Sequence, residues 1–231
     1  VSRNKIIIIV ISAILAGGLG IIGFYAYQGA HYVSTDDARV SADLVHVSPE
    51  IAGNLLVWNV KEGDMVTAGQ ILGRQDLGAA MTSGAMNPSS IANVGGVIAQ
   101  KALLKAPISG QIIKSNAVVG QMVIPGTTLA IIADTGDLYI SADIKEGNFA
   151  RIHIGQVVDV HVDAYPGTTF PGRIQNIGRA TASTFSLLPA QNNSGNYTKV
   201  TQVIPIKIHL LQMDGAHLMV GMNASIRIHV E

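Results

Sequence analysis

The longest uninterrupted apolar run comes first: from Ile6 to Tyr27 the chain reads IIIIVISAILAGGLGIIGFYAY, without one charged residue. Wound as a helix at about 1.5 Å per residue, this run reaches roughly 33 Å, enough to cross a hydrocarbon core of about 30 Å. Arg3 and Lys5 precede it, and the first charges after it are the acidic Asp36 and Asp37. The positive-inside rule then keeps the N-terminus in the cytoplasm and puts the remainder outside. Residues 1–30 are expected to form a cytoplasmic N-terminus and single-pass anchor, with Ile6, Ile14, Gly17, Gly20, Ile22 and Tyr27 along the span. Tyr25, Tyr27 and Tyr32 fall where an interfacial aromatic belt belongs. A cleaved signal peptide is the competing reading, but its apolar region usually covers only about 7–15 residues. Small residues recur at Ala13 and Gly17, and at Ala16 and Gly20, a spacing that lets a second helix approach closely. The plainer account is that membrane helices are simply rich in glycine.

Beyond the anchor the pattern changes to short alternating segments punctuated by glycine, and it repeats. One copy is Val47–Asp76, VSPEIAGNLLVWNVKEGDMVTAGQILGRQD; the other is Lys105–Asp134, KAPISGQIIKSNAVVGQMVIPGTTLAIIAD. Gly53, Gly63 and Gly69 recur at the same intervals as Gly110, Gly120 and Gly126, and Leu72 and Leu129 follow at equal distances. Pro49 and Pro107 open the copies. Gly63-Asp64 and Gly120-Gln121 are expected at turns needing positive φ, with Gly69 and Gly126 at the next turn. A single copy is a curled sheet with one unburied face. Two copies related by a pseudo-twofold close that face into a flattened sandwich spanning 47–76 and 105–135.

Between the copies, 77–104 contains Gly78, Gly84, Pro88, Gly95 and Gly96, almost no charge and no heptad. It predicts a short linker, since even two helical arms of about ten residues reach only about 15 Å. Strand signals resume in 136–231. Val158, Val160 and Val162 alternate with Asp159, His161 and Asp163; Ile204, Ile206, Ile208 and Leu210 share a face; so do Ile226, Ile228 and Val230. Pro166-Gly167 and Pro171-Gly172 make turns, which together predict a small antiparallel β-barrel. Residues 31–46, with a strand around Ala38–Val45, are expected to pair with that barrel. The polar run QNNSGN at 191–196 is a loop, and Asn192, Gly195 and Asn196 are either partner-facing or simply part of a long hairpin connection. The fold class is mainly β, with an N-terminal transmembrane helix and no long helical hairpin.

Composition narrows the function. Fifteen basic and 15 acidic side chains cancel, which argues against nucleic acid as a partner, because phosphate binding needs clustered Lys and Arg. No cysteine is present, removing thiolate metal sites and Cys nucleophiles. Asp159, His161 and Asp163 on one strand face are expected to be a solvated surface, because successive same-face positions rarely converge on one ion. Asp36 and Asp37 are neighbours in extended chain and point to opposite faces, unlike a catalytic pair. No nucleophile elbow or phosphate-cradling loop occurs, so no catalytic residue, cofactor-binding residue or metal ligand is assigned, and energy must come from a partner.

The repeat resembles the split lipoyl or biotinyl-like domain. Thr35-Asp36-Asp37-Ala38, then Val47-Ser48-Pro49 and Gly63-Asp64, resemble the opening of HlyD/EmrA-like membrane fusion proteins. Phe185-Ser186-Leu187-Leu188-Pro189, Gly195-Asn196-Tyr197-Thr198-Lys199-Val200, Ile204-Pro205-Ile206-Lys207-Ile208 and Gly221-Met222 continue the same family's pattern to the end of the chain. The resemblance implies a non-enzymatic adaptor subunit of a multidrug export system. Its implied partners are an inner-membrane transporter, with a major-facilitator antiporter favoured over an ABC exporter, and further copies of itself in a homo-oligomer. Most members carry a long helical hairpin in the 77–104 slot, so contact with an outer-membrane channel is doubtful here. Lipoyl and biotinyl carriers bear their group on a lysine between the halves; Lys101, in the setting AQKAL, resembles neither carrier pattern. A carrier domain and a structural envelope protein stay as the rival readings.

Overall fold

The computed structural model describes residues 3–76, 100–185, 201–213 and 215–230, with the side chains of 3–13, 21, 25, 26 and 185 excluded. The linker residues 77–99 and the loop bearing Asn192, Gly195 and Asn196 lie outside the described residues, as does the side chain of Ile6. Helix α1 (Arg3–His31) leads directly into strand β1 (Tyr32–Ser41). Next come β2 (Leu44–Val47), β3 (Gly53–Trp58), β4 (Met65–Val66), β5 (Ile71–Gln75), β6 (Leu103–Lys105), β7 (Gly110–Ser115), β8 (Met122–Val123) and β9 (Ala130–Ala133). The chain ends with β10 (Tyr139–Lys145), β11 (Val157–Val162), β12 (Phe170–Ile177), β13 (Val203–Leu210) and β14 (Asn223–His229). Two compact units result: 1–41 with 139–231, and 42–138. Among the described residues, no helix is long and apolar enough to cross a membrane, and none forms a helical hairpin.

The second unit is a sandwich of two four-stranded sheets, ordered β2-β9-β7-β4 and β6-β5-β3-β8. Each sheet mixes both copies of the repeat. Gly53 and Asn54 of β3 pair with Val123 and Met122 of β8, and Val66 and Met65 of β4 pair with Gly110 and Gln111 of β7. The turns cross in the same reciprocal way: Gly63 N–H donates to Ile112 O at 2.8 Å, and Gly120 N–H to Leu55 O at 2.7 Å. Val47, Leu72, Ile112 and Ile132 bury one core, while Leu55, Leu104, Val123 and Leu129 bury another. Trp58 packs against both, and its Nε1–H donates to Ser115 Oγ at 3.1 Å. Gly73 leaves space for that ring: an added Cβ would lie 2.7 Å from Trp58 Cε3.

The repeated glycines divide into two kinds. Gly63, Gly69, Gly120 and Gly126 all turn with φ between 82° and 93°, where a side chain costs roughly 1–2 kcal/mol. Gly53 and Gly110 instead permit close approach of backbones: an added Cβ would meet Asp76 O at 2.5 Å and Ala133 O at 2.1 Å. Asp64 completes its turn by accepting the Lys61 N–H on Oδ2 at 2.8 Å.

The first unit contains a closed six-stranded barrel, ordered β1-β10-β13-β12-β11-β14. Its interior follows the alternation in sequence: Val158, Val160 and Val162, Ile204, Ile206, Ile208 and Leu210, and Ile226, Ile228 and Val230 are all buried. Phe170 fills the middle at 0% exposure. β1 closes the barrel by pairing with both β10 and β14, with a bulge between Thr35 and Ala38. The stretch 31–46 is divided between units: Tyr32–Ser41 lies in the barrel, whereas Leu44–Val47 pairs with β9 in the sandwich.

Gly110→Ala should destabilise the sandwich by about 1–3 kcal/mol or more, through forced overlap with a carbonyl that has no rotamer to yield. Gly126→Ala, which meets nothing within 4 Å but keeps a positive φ, should cost about 1–2 kcal/mol. Chemical denaturation of both variants checks the order.

Candidate interaction surfaces

Because interiors of both units are filled, chemistry and binding are left to surfaces. The sandwich turns equivalent under the repeat differ in character. The first, Lys61-Glu62-Gly63-Asp64-Met65, is charged; the second, Val118-Val119-Gly120-Gln121-Met122, is apolar. Val118, Val119 and Met122 are exposed, as is Ile124 just beyond. Leu56 is exposed on β3, next to Leu55, which bonds Gln121 O and the Gly120 N–H. A turn needs only its glycine for geometry, so the exposed valines are surplus to folding.

Lys101 sits before β6 and pairs with Glu50 at 3.2 Å. It is held beside the opening of the first copy. On the barrel, Asp159 accepts from His229 at 2.8 Å, His161 contacts Thr169 Oγ1 at 3.3 Å, and Asp163 is exposed. The described residues contain no group of three His, Cys, Asp or Glu able to hold a metal ion.

Where α1 meets the barrel, a cleft of about 850 Å³ opens, lined by Tyr27, His31, Tyr32, Arg151, His153, Gly155, Gln156, Arg173 and His229 among others. Each polar partner has a local cause. A helix leaves its last carbonyls unsatisfied, and here His31 Nδ1 reaches Tyr27 O at 3.0 Å, Arg151 donates to Ala30 O, and Val230 N–H donates to His31 O at 2.9 Å. Tyr27 stacks on His31 at 4.2 Å, and Tyr32 meets the His229 ring edge-on at 5.1 Å. Arg173 donates to Gly155 O at 2.9 Å from the opposite wall. Of the residues expected along the span, Ile14, Ile22 and Tyr27 are 69%, 66% and 60% exposed, and apart from the helix's own backbone no atom lies within 4 Å of a Cβ built at Gly17 or Gly20. The charged rim escaped the sequence reading because Arg151, Arg173 and His229 come from three separate barrel segments; only Tyr27 and Tyr32 had been signalled.

Asp143 on β10 is a half-buried carboxyl. Burial raises its pKa above the ordinary 3.8, Asp37 across the ladder raises it further, and Arg39 pulls it back. A raised carboxyl holds its proton more tightly folded than unfolded, so stability falls as pH climbs from the unfolded value through the folded one. Asp143→Asn should therefore raise Tm at neutral pH, and the gain should vanish below about pH 3.8, where both side chains are neutral. Thermal melts across acid pH test the sign.

Comparison with known proteins agrees with this architecture. Residues 43–135 match the RND MFP barrel-sandwich hybrid domain, and residues 137–231 match the CusB-like β-barrel domain. The proposed efflux system component YhbJ of Bacillus subtilis (strain 168) is 40% identical over 201 residues, covering 87% of this chain and 81% of YhbJ. The multidrug export protein EmrA of Haemophilus influenzae is 34% identical over 134 residues, covering 57% of this chain and 34% of EmrA. This chain thus spans only about a third of that relative's length. Among solved structures, a chimera of MacA carrying the Pseudomonas aeruginosa MexA α-hairpin domain superposes with TM-score 0.65 at 16% identity, covering 87% of this chain and 83% of the chimera. At that identity the likeness concerns the fold alone.

Proposed function

This chain belongs to the RND/HlyD-type membrane fusion protein family, whose members are non-enzymatic adaptor components of efflux systems, and we propose that it acts as a membrane-anchored assembly adaptor for an inner-membrane exporter of drugs or other small molecules. The observation that carries this reading is the direct continuation of α1, with its uncharged run from Ile6 to Tyr27, into the barrel, the helix end being bonded by Val230 N–H, just after β14, and by Arg151 of the 146–151 turn. An element with exposed Ile14, Leu15, Leu19 and Ile22 needs an apolar surrounding, and a bilayer supplies one. In this reading the N-terminus lies in the cytoplasm and both β units lie outside.

The exporter is a major-facilitator antiporter in the first instance, on the likeness to EmrA proteins, with an ABC exporter as second choice. Self-association uses the Val118–Met122 turn of the sandwich, where exposed apolar side chains serve no fold. The 77–104 segment is too short for long helical arms, so the adaptor works without hairpin contact to an outer-membrane channel.

Affinity purification from mild detergent should recover an exporter together with several adaptor copies. Recovery of monomer alone, with no transporter at any stoichiometry, contradicts the proposal. Val118→Asp with Val119→Asp should weaken self-association roughly tenfold or more, since covering one such side chain contributes about 1.5–3 kcal/mol. Crosslinking of the full chain in membranes reads the change; an unchanged ladder removes this turn from the interface.

A further inference from the structure

We propose that the cleft at the end of α1 binds the headgroup of an anionic phospholipid, so that the adaptor grips a lipid of the outer leaflet as well as crossing the bilayer. The assignment rests on the anchor reading for its source of ligand, but the cleft's own chemistry selects an anion. Among the described residues its lining contains Arg151 and Arg173 with His31, His153 and His229, and no carboxylate side chain. The adjacent acid, Asp159, is held by His229 at 2.8 Å. A small-molecule pocket is mostly apolar with few polar groups; the lining of this cleft is about equally polar and apolar.

The end of a helix carries a partial negative charge of about half a unit, which by itself repels anions. Here Arg151 already covers the Ala30 carbonyl, and Arg173 lines the same cleft. A guanidinium has five N–H donors in a planar fork. The bonds from Arg151 to Ala30 O and from Arg173 to Gly155 O therefore orient both groups and leave donors for phosphate oxygens. Tyr27 and Tyr32 flank the opening with rings that suit the boundary between headgroup and acyl chain. At about 850 Å³ the cleft admits a whole headgroup.

Native mass spectrometry of the full chain in detergent, with phosphatidylglycerol or phosphatidylcholine added, tests the assignment. Phosphatidylglycerol should be retained in preference. Arg151→Gln with Arg173→Gln should lower its affinity roughly thirtyfold, at about one surface charge's attraction per arginine removed. Arg173→Gln alone, which leaves the Arg151–Ala30 bond in place, should give an intermediate loss, and the double Lys variant should keep most of the preference. Equal retention of both lipids by the wild type, or equal phosphatidylglycerol retention by the wild type and the double Gln variant, overturns the proposal. Displacement by soluble glycerol phosphate at matched concentration also overturns it, since the site would then take a free anion. Alkaline carbonate washing of membranes tests the anchor separately: release of the wild type refutes the anchor while leaving the lipid preference in detergent to decide the cleft.

Discussion

Everything in the 42–138 unit depends on the exchange of hydrogen bonds between two half-motifs that cannot complete themselves. The Gly63 amide needs the Ile112 carbonyl, and the Gly120 amide needs the Leu55 carbonyl. Each sheet likewise takes a two-residue strand from the other copy. Such short strands have no stability alone, so the copies order together or not at all. The connection between them adds only an entropic closure cost that rises slowly with length. A sandwich built this way tolerates a short connection as readily as a long one.

The barrel imposes a second form of closure. β1, reached directly from α1, lies between β10 and β14, and without it the barrel would have two open edges. The helix end is therefore secured to later parts of the chain, through Val230 just after β14 and Arg151 in the 146–151 turn. That arrangement joins α1 firmly to the barrel. The same junction gathers arginines and histidines beside two tyrosines, so the element that secures the helix also creates the polar cleft.

Much of this was legible in the sequence, for a physical reason. Strand alternation places Val158, Val160 and Val162 inside whatever their neighbours do, and paired glycine spacing reveals two copies of one motif. Turn glycines with positive φ also read locally. Gly53 and Gly110 showed only that glycine was needed; that they admit Asp76 and Ala133 carbonyls is a long-range fact. Strands β2 and β6, the bridges β4 and β8, and the Trp58–Ser115 bond depend on partners far along the chain. The cleft was hidden for the same reason, since its charges are dispersed through loops and strands that only the closed barrel assembles. Among the candidate positions, Gly63, Gly69, Gly120 and Gly126 have the positive φ that turns need, whereas the surface residues that distinguish one equivalent turn from the other gained meaning only once the symmetry was visible.

Amide hydrogen exchange on the full chain in detergent micelles bears most directly on the reciprocal sandwich. If the halves form one cooperative body, the amides of Leu55, Gly63, Ile112 and Gly120 exchange with a shared opening free energy, and all four respond together to Gly110→Ala. Protection that persists in one copy while the other exchanges freely would mean that the copies fold independently, and the account would fail.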